Sequence, residues 1–297
     1  TLWRGGPNTA KGAEYYWNVN KQSAHVLDEI SKAFTEGDQQ KAEMLTRQNF
    51  NSEVPYEANR EKPFRFGNFT IMGEFYVETG LDTLGISDYK RILSLDSALA
   101  VVQFKKDNVA YQRSYFISYP ANVMVMRFSA DRAGMQNLVF SYAPNSISQG
   151  SLSGDGDKGL VFSASLNNNG MKYVVRIQAE TKGGTLSNTG CRLTVKGADE
   201  VVFYVTADTD YKMNFNPDFK DPKTYVGVDP AETTCQWINN AVMQGYTALF
   251  QQHYSDYAAL FNRVRLNLNP TVKTSDIPAP QRLKNYRNGQ PDYYLEE

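Results

Sequence analysis

Asp107-Asn108-Val109-Ala110-Tyr111-Gln112-Arg113-Ser114-Tyr115-Phe116-Ile117-Ser118-Tyr119-Pro120 is a turn followed by a strand. Tyr111, Tyr115 and Ile117 fall near period two, the repeat of one face of a pleated strand, and Asp107-Asn108 can supply the positive φ or Asx geometry of a tight turn. The same texture extends outward from about Phe64 to Tyr211. Phe75 and Val77, Leu93 and Leu95, and Val101 and Phe104 precede the quoted stretch; Val123, Val125 and Phe128 follow it. Further strands are predicted over 138–142, 160–164, 171–179, 191–195 and 201–206. The punctuation is Asp131-Arg132-Ala133-Gly134, Asn167-Asn168-Asn169-Gly170, Lys182-Gly183-Gly184 and Lys196-Gly197-Ala198-Asp199. Ten or more strands in meander order, without regular crossover helices, predict a mainly β chain built as a large antiparallel sandwich.

Helical patterns flank this region. Val26, Leu27, Ile30, Ala33 and Phe34 form one apolar stripe, Gly37 can close that helix, and Asp38 can cap a second one carrying Ala42 and Leu45. A short helical hairpin is therefore expected over about 22–50. Near the other end, Asp229 is a good N-cap, Pro230 sits at the first helical position, and Glu232 stands where a capping-box carboxylate would reach back. Cys235, Ile238, Val242 and Trp237 supply an apolar side, Gly245 offers a break, and a second helix runs to about Phe261. If collinear, the two would span roughly 45 Å. In His253-Tyr254-Ser255-Asp256-Tyr257-Ala258-Ala259-Leu260-Phe261-Asn262-Arg263-Val264-Arg265-Leu266-Asn267-Leu268, the residues Tyr254, Tyr257, Ala258 and Phe261 keep helical spacing. Val264, Leu266 and Leu268 then alternate as a half-buried strand would. Pro270, Pro278, Pro280 and Pro291 mark an extended tail. The expected division is a sandwich over 1–228, a helical linker ending in a strand over 229–269, and the tail over 270–297.

Composition narrows the function classes. Thirty-one basic against 32 acidic residues leave a net charge of −1, which argues against a nucleic-acid footprint or a polybasic membrane patch. No run approaches the roughly 18 apolar residues of a membrane span, and Thr1 opens the chain without a signal-like stretch. The 19 Tyr and 16 Phe suit half-buried pleated surfaces and also line sugar-binding clefts. Cys191 and Cys235 form neither a CxxC pair nor a disulfide framework, and both are expected to be buried as small hydrophobes.

Ser87-Asp88-Tyr89-Lys90-Arg91-Ile92-Leu93-Ser94-Leu95-Asp96, followed by Tyr111 to Pro120, resembles the paired strands in the N-terminal domain of glycoside hydrolase family 95. Thr1-Leu2-Trp3 with Gly5-Gly6-Pro7, Gly197-Ala198-Asp199 leading into Thr206-Ala207-Asp208-Thr209, and the His253 to Leu268 connector match in the same order. The resemblance implies an N-terminal β-super-sandwich, a helical linker and an (α/α)6 barrel, with a first Gly-rich strand preceding Thr1. Such proteins are chiefly α-L-fucosidases acting on terminal, often 1,2-linked, fucose, with some α-L-galactosidases. Their inverting chemistry uses a barrel Glu as general acid and barrel Asn and Asp residues to orient the attacking water. The chain ends about where that barrel would begin, so the resemblance places no catalytic residue in these 297 positions. It also implies a periplasmic or secreted setting, a fucosylated glycan as the substrate of the barrel, and an intramolecular interface between linker and barrel. Trp237, Tyr254, Tyr257 and Phe261 are the residues expected at that interface.

The chain's own chemistry offers little competition. Glu74 and Glu78, Asp155 and Asp157, and Asp208 and Asp210 are close carboxylate pairs, but exposed strand faces and turns carry such pairs routinely. Asp155-Gly156-Asp157 lacks the further ligands of an EF-hand loop. His25 and His253 have no neighbouring Cys or second His, so no metal site and no cofactor is expected, and His253 is expected to pack or bond at a domain boundary. No HExxH, GxSxG, P-loop or GxGxxG pattern occurs. Trp3 has two readings: a wedge between sandwich and barrel, or a residue on the rim of the sugar pocket, where an indole face stacks on apolar C–H groups. The alternatives for the whole are an α-L-galactosidase of the same family, a free-standing carbohydrate-binding or scaffold module, and a super-sandwich attached to a different barrel glycosidase or phosphorylase.

Overall fold

In the computed structural model, which describes residues 2–6, 21–50, 68–145, 148–167, 170–216, 221, 223–265 and 277–292, two antiparallel sheets pack face to face. For residues 2–6, 21–22 and 68–70 the description is confined to the backbone. Strand β1 (Leu2–Gly6) is followed by a 3-10 turn (Lys21–Val26) and helices α1 (Leu27–Thr35) and α2 (Gln39–Asn49). The strands then run β2 (Asn68–Glu78), β3 (Ser87–Ser94), β4 (Leu99–Lys106), β5 (Val109–Ser118), β6 (Val123–Ala130) and β7 (Gln136–Pro144). After them come β8 (Ser148–Gly154), β9 (Gly159–Leu166), β10 (Lys172–Lys182), β11 (Thr185–Asn188), β12 (Arg192–Ala198) and β13 (Glu200–Thr209). Two helices close the order, α3 (Pro230–Phe261) and α4 (Ala279–Arg287). One sheet is ordered β1-β2-β7-β12-β11 and the other β3-β4-β5-β6-β13-β10-β9-β8.

Turn chemistry and alternation account for most of this. Asp107 and Asn108 take φ of 51° and 59°, the paired left-handed geometry of a two-residue hairpin, and β4 meets β5 in register from Lys106 opposite Val109. At the β10–β11 turn Gly184 has φ of 65°, and a Cβ there would sit 2.4 Å from the Lys196 carbonyl, so the close approach to β12 excludes a side chain. Between the sheets, Phe140 stacks on Phe203 at 4.6 Å, Phe128 meets Phe203 edge-on, and Leu160, Phe162, Tyr173, Val175 and Ile177 complete a core that excludes water. Helices α1 and α2 pack on each other around Val26, Ile30, Ala33 and Ala42, with Gly37 at φ 80° and the Asp38 carboxylate accepting from the Lys41 N–H. Leu27 and Phe34 of the predicted stripe stay exposed.

The eight-stranded sheet is apolar on both sides. Val201, Phe203 and Val205 of β13 face the other sheet, whereas Val202 and Tyr204 face α3 together with Phe116, Val123 and Val125. A strand flanked on both faces reads as a continuous apolar run, as Val201 to Val205 does. Helix α3 supplies the outer cover through Ile238, Ala241, Leu249, Tyr246 and Phe250.

Two expectations require correction, and a third falls largely outside the described residues. Of the half-buried strand expected from Val264, that residue is 83% exposed and irregular, and Leu266 and Leu268 lie outside the described residues. The tail is not simply extended, because Ala279–Arg287 is helical; Pro280 stands in the first turn, where its missing N–H has no helical partner to lose. Strands β8 and β11 have no sequence expectation behind them, since Ser148-Gln149-Gly150-Ser151-Leu152-Ser153-Gly154 shows no apolar alternation. Cys191 is exposed and Cys235 half-buried, both free thiols.

Gly245 interrupts α3 at φ 74° and ψ 170°, a region that only glycine occupies without strain, with nothing within 4 Å of where its Cβ would be. Gly245→Ala is therefore expected to lose about 1–3 kcal/mol in a denaturant titration for conformational rather than steric reasons. An unchanged midpoint would show that the break is not held in place.

Candidate functional site

Helix α3 starts where the sequence places it. The Asp229 carboxylate accepts from the Ala231 N–H at 3.0 Å and takes the Lys172 ammonium at 3.2 Å, while Glu232 accepts from the Gln236 amide instead of reaching back to the cap. Arg176 on β10 donates to Asp155 at 2.6 Å and to the Ala231 carbonyl, and Thr206 on β13 donates to the Thr234 carbonyl. The turn Asp155-Gly156-Asp157 is thus an ion-pair anchor. The N-terminal half of α3 is held across β10 and β13.

Past Gly245 the helix crosses β6 and β5. The Arg127 guanidinium lies 4.8 Å over the Tyr246 ring and pairs with Glu200. Phe116 meets Tyr246 and Phe250 edge-on and stacks on the buried His253 ring at 5.0 Å. His253 donates from Nε2 to the Ser97 carbonyl at 3.0 Å, and the Tyr257 hydroxyl donates to the Leu95 carbonyl at 2.5 Å. Four residues, one helical turn, separate the two donors, so one helix face grips the whole Leu95–Ala98 turn between β3 and β4.

The residues singled out from sequence divide along this helix. Trp237 is half-buried on the first half of α3. Tyr257 is half-buried and committed to Leu95, and its ring stacks on Phe261 at 5.1 Å. Tyr254 and Phe261 are exposed. Trp3 is on β1 at the edge of the five-stranded sheet, opposite Ile71; its side chain lies outside the description.

Beside α3 the same sheet face is open. Lys90, Gln103, Gln112, Arg127, Ser129 and Asp131 help to line a trough of roughly 650 Å³. Gln103 donates to Gln112 at 3.0 Å, Lys105 meets Asp88 at 2.8 Å, and Asp131 accepts from the Ala110 N–H. The trough is lined by no histidine or thiol, and of its charges Lys105 and Asp88 pair with each other while Arg127 pairs with Glu200 beyond it. Among the described residues no three His, Cys, Asp or Glu side chains converge as a metal site, and no helix is long and apolar enough to cross a membrane.

The carboxylate pairs serve the scaffold. Glu74 accepts from the Tyr76 hydroxyl at 2.7 Å. Burial pushes the Asp208 and Asp210 carboxyls above the usual carboxylate range; at Asp210 the N–H and ammonium of Lys172 oppose that shift. Asp210 is buried and its Oδ1 takes the Lys172 N–H at 3.0 Å, closing the β10–β13 end.

Residues 1–214 match the family described as "Glycosyl hydrolase family 65, N-terminal domain", and residues 245–297 match "Glycosyl hydrolase family 95 catalytic domain". The chain belongs to this family of glycosyl hydrolase N-terminal domains. It carries a short piece of a family 95 catalytic domain behind it. It is 29% identical over its whole length to "Probable alpha-fucosidase A" of Aspergillus niger, covering 36% of that protein. It is 26% identical over 98% of its length to "Alpha-L-fucosidase 2" of Arabidopsis thaliana, covering 35%, and 23% identical over its whole length to "Probable alpha-fucosidase A" of Aspergillus oryzae, covering 39%. The chain thus spans little more than a third of these relatives, and the family 95 match begins at the residue where α3 breaks.

The clamp between helix and turn predicts a hierarchy of losses. His253→Ala should cost roughly 2–4 kcal/mol, from a buried hydrogen bond and an aromatic pair, whereas Tyr257→Phe should cost about 0.5–1.5 kcal/mol; urea denaturation checks both. Equal effects would contradict the burial difference. For Asp210, a folded pKa raised above the ordinary 3.8 means that its contribution to stability is present below that value and is lost as pH rises through the folded value. Asp210→Asn keeps an acceptor for Lys172 and should melt higher than the parent at about pH 6, with the advantage vanishing near about pH 3.5.

Proposed function

We propose that the chain is the N-terminal β-super-sandwich and helical linker of a glycosidase that hydrolyses terminal α-L-fucosides, 1,2-linked ones among them, with inversion. Catalysis belongs to an (α/α)6 barrel to which α3 leads, and the 297 residues are inactive alone. One observation carries the reading: the chain aligns end to end with proteins named as α-fucosidases while its last 53 positions, residues 245–297, match a family 95 catalytic domain. The residues agree with it, because the close carboxylates of the sandwich hold scaffold contacts: Asp155 pairs with Arg176, and Asp210 accepts from the Lys172 N–H. In this reading Trp237, Tyr254, Tyr257 and Phe261 form the linker's side of the barrel interface, and Trp3 lies near the barrel as wedge or pocket rim.

A free-standing carbohydrate-binding module fits less well. Such a module closes its own surface, whereas Tyr254, Leu260 and Phe261 leave the end of α3 apolar and in water.

The test is enzymatic. The purified 297-residue chain should release no fucose from an α-1,2-fucosyl oligosaccharide; the same chain continued by a complete family 95 catalytic domain should release it, with β-fucose as the first product by proton NMR. Turnover by the short chain, or none by the long one, would overturn the proposal.

A further inference from the structure

The outer apolar surface does not stop at α3. Leu93 on β3 is 65% exposed, Ile117 on β5 is 67% exposed, and Tyr119, in the turn that follows, is 80% exposed. Register places the first two on one face. Leu93 is opposite Ala100, Ala100 is opposite Tyr115, and Ile117 is two residues beyond Tyr115. Tyr115 packs against the core between the sheets, so this is the face turned away from α3, at a corner where Leu93 and Ile117 stay exposed. The residue between Leu93 and Tyr115 is an alanine, which makes the corner a shallow step and not a ridge. Leu95, also exposed, lies in the turn that Tyr257 grips; α3 ends in Leu260 and Phe261, and Val264 follows, all three exposed. Single exposed apolar residues are ordinary; large ones gathered round one sheet corner mark an interaction surface.

We propose that Leu93, Leu95, Ile117 and Tyr119 form the sandwich's own seat for the body of the catalytic domain, continuous with the exposed end of α3. The inference rests on the reading above that such a domain follows. Two observations and the tether between the domains choose this occupant. The matched relatives are nearly three times as long as the chain, as coverages of 36%, 35% and 39% require. The residues matched to the catalytic domain, 245–297, include the very turns of α3 that end at this corner. A domain tethered there meets the seat at an effective concentration of order millimolar, which outcompetes a second copy in dilute solution.

The test uses the chain continued by a complete family 95 catalytic domain, with the 297-residue chain as control. A photoreactive benzoylphenylalanine at position 119 should cross-link within one molecule to a catalytic-domain peptide. A cross-link only to a second copy, or none, overturns the seat. Ile117→Asp should lower the melting temperature of the long protein by several degrees and leave that of the short chain unchanged, since Ile117 is exposed there. Equal drops would make Ile117 a residue of the sandwich alone, and no drop in either would leave the seat without energetic content; both overturn it. Fucosidase activity in the unsubstituted long protein separates the two failures: if activity is present and these shifts are absent, only the seat falls, and if activity is absent, the function proposal falls first.

Discussion

The two sheets and the long helix α3 are arranged around one constraint: the eight-stranded sheet is apolar on both faces. Strands β5, β6 and β13 present Tyr115, Phe128 and Phe203 to the five-stranded sheet and Phe116, Val125 and Tyr204 to the opposite side. Leaving either set in water would forfeit burial of order 1.5–3 kcal/mol per large side chain. One face is answered by a second sheet. The other is answered by a single helix, which must be long enough to cross several strands and bent enough to follow their twist; the break at Gly245 meets the second demand.

That constraint explains the distribution of polar contacts. Neither half of α3 depends on apolar burial alone: Asp229, Lys172, Arg176 and Thr206 fasten the first, and Arg127, His253 and Tyr257 fasten the second. These side chains bond mostly to backbone carbonyls or to each other, so they fix position without offering reactive groups. The polar trough beside the helix is of the same kind.

The sequence revealed much of this, for identifiable reasons. The hairpin at Asp107-Asn108, the alternation around Tyr111 to Ile117, the cap at Asp229 and the break at Gly245 are local signals, set by residues a few positions apart. The run Val201 to Val205 also carried a further message, since five apolar residues in a row mean that both faces of that strand are covered. Strand β8 was invisible because Ser148–Gly154 has no apolar face of its own; it exists by pairing with β9 at the sheet edge. Helix α4 was hidden by prolines that read as extension when counted and as a helix start when placed. The grip of His253 and Tyr257 on Leu95 and Ser97 joins residues about 160 positions apart, at separations of 156 and 162. Only their helical spacing was legible beforehand.

The continuity of α3 bears on how such enzymes are cut and recombined. The family 95 match starts at Gly245, yet the helix on either side of that residue covers one continuous apolar surface of the sandwich. Evolutionary module and folding unit are therefore out of register by about half a helix. A catalytic domain excised at that point would carry away Leu249, Phe250 and His253, uncovering Phe116 on the part left behind. Exchange of catalytic domains between relatives would have to preserve this shared stretch, because the second half of α3 belongs to both units.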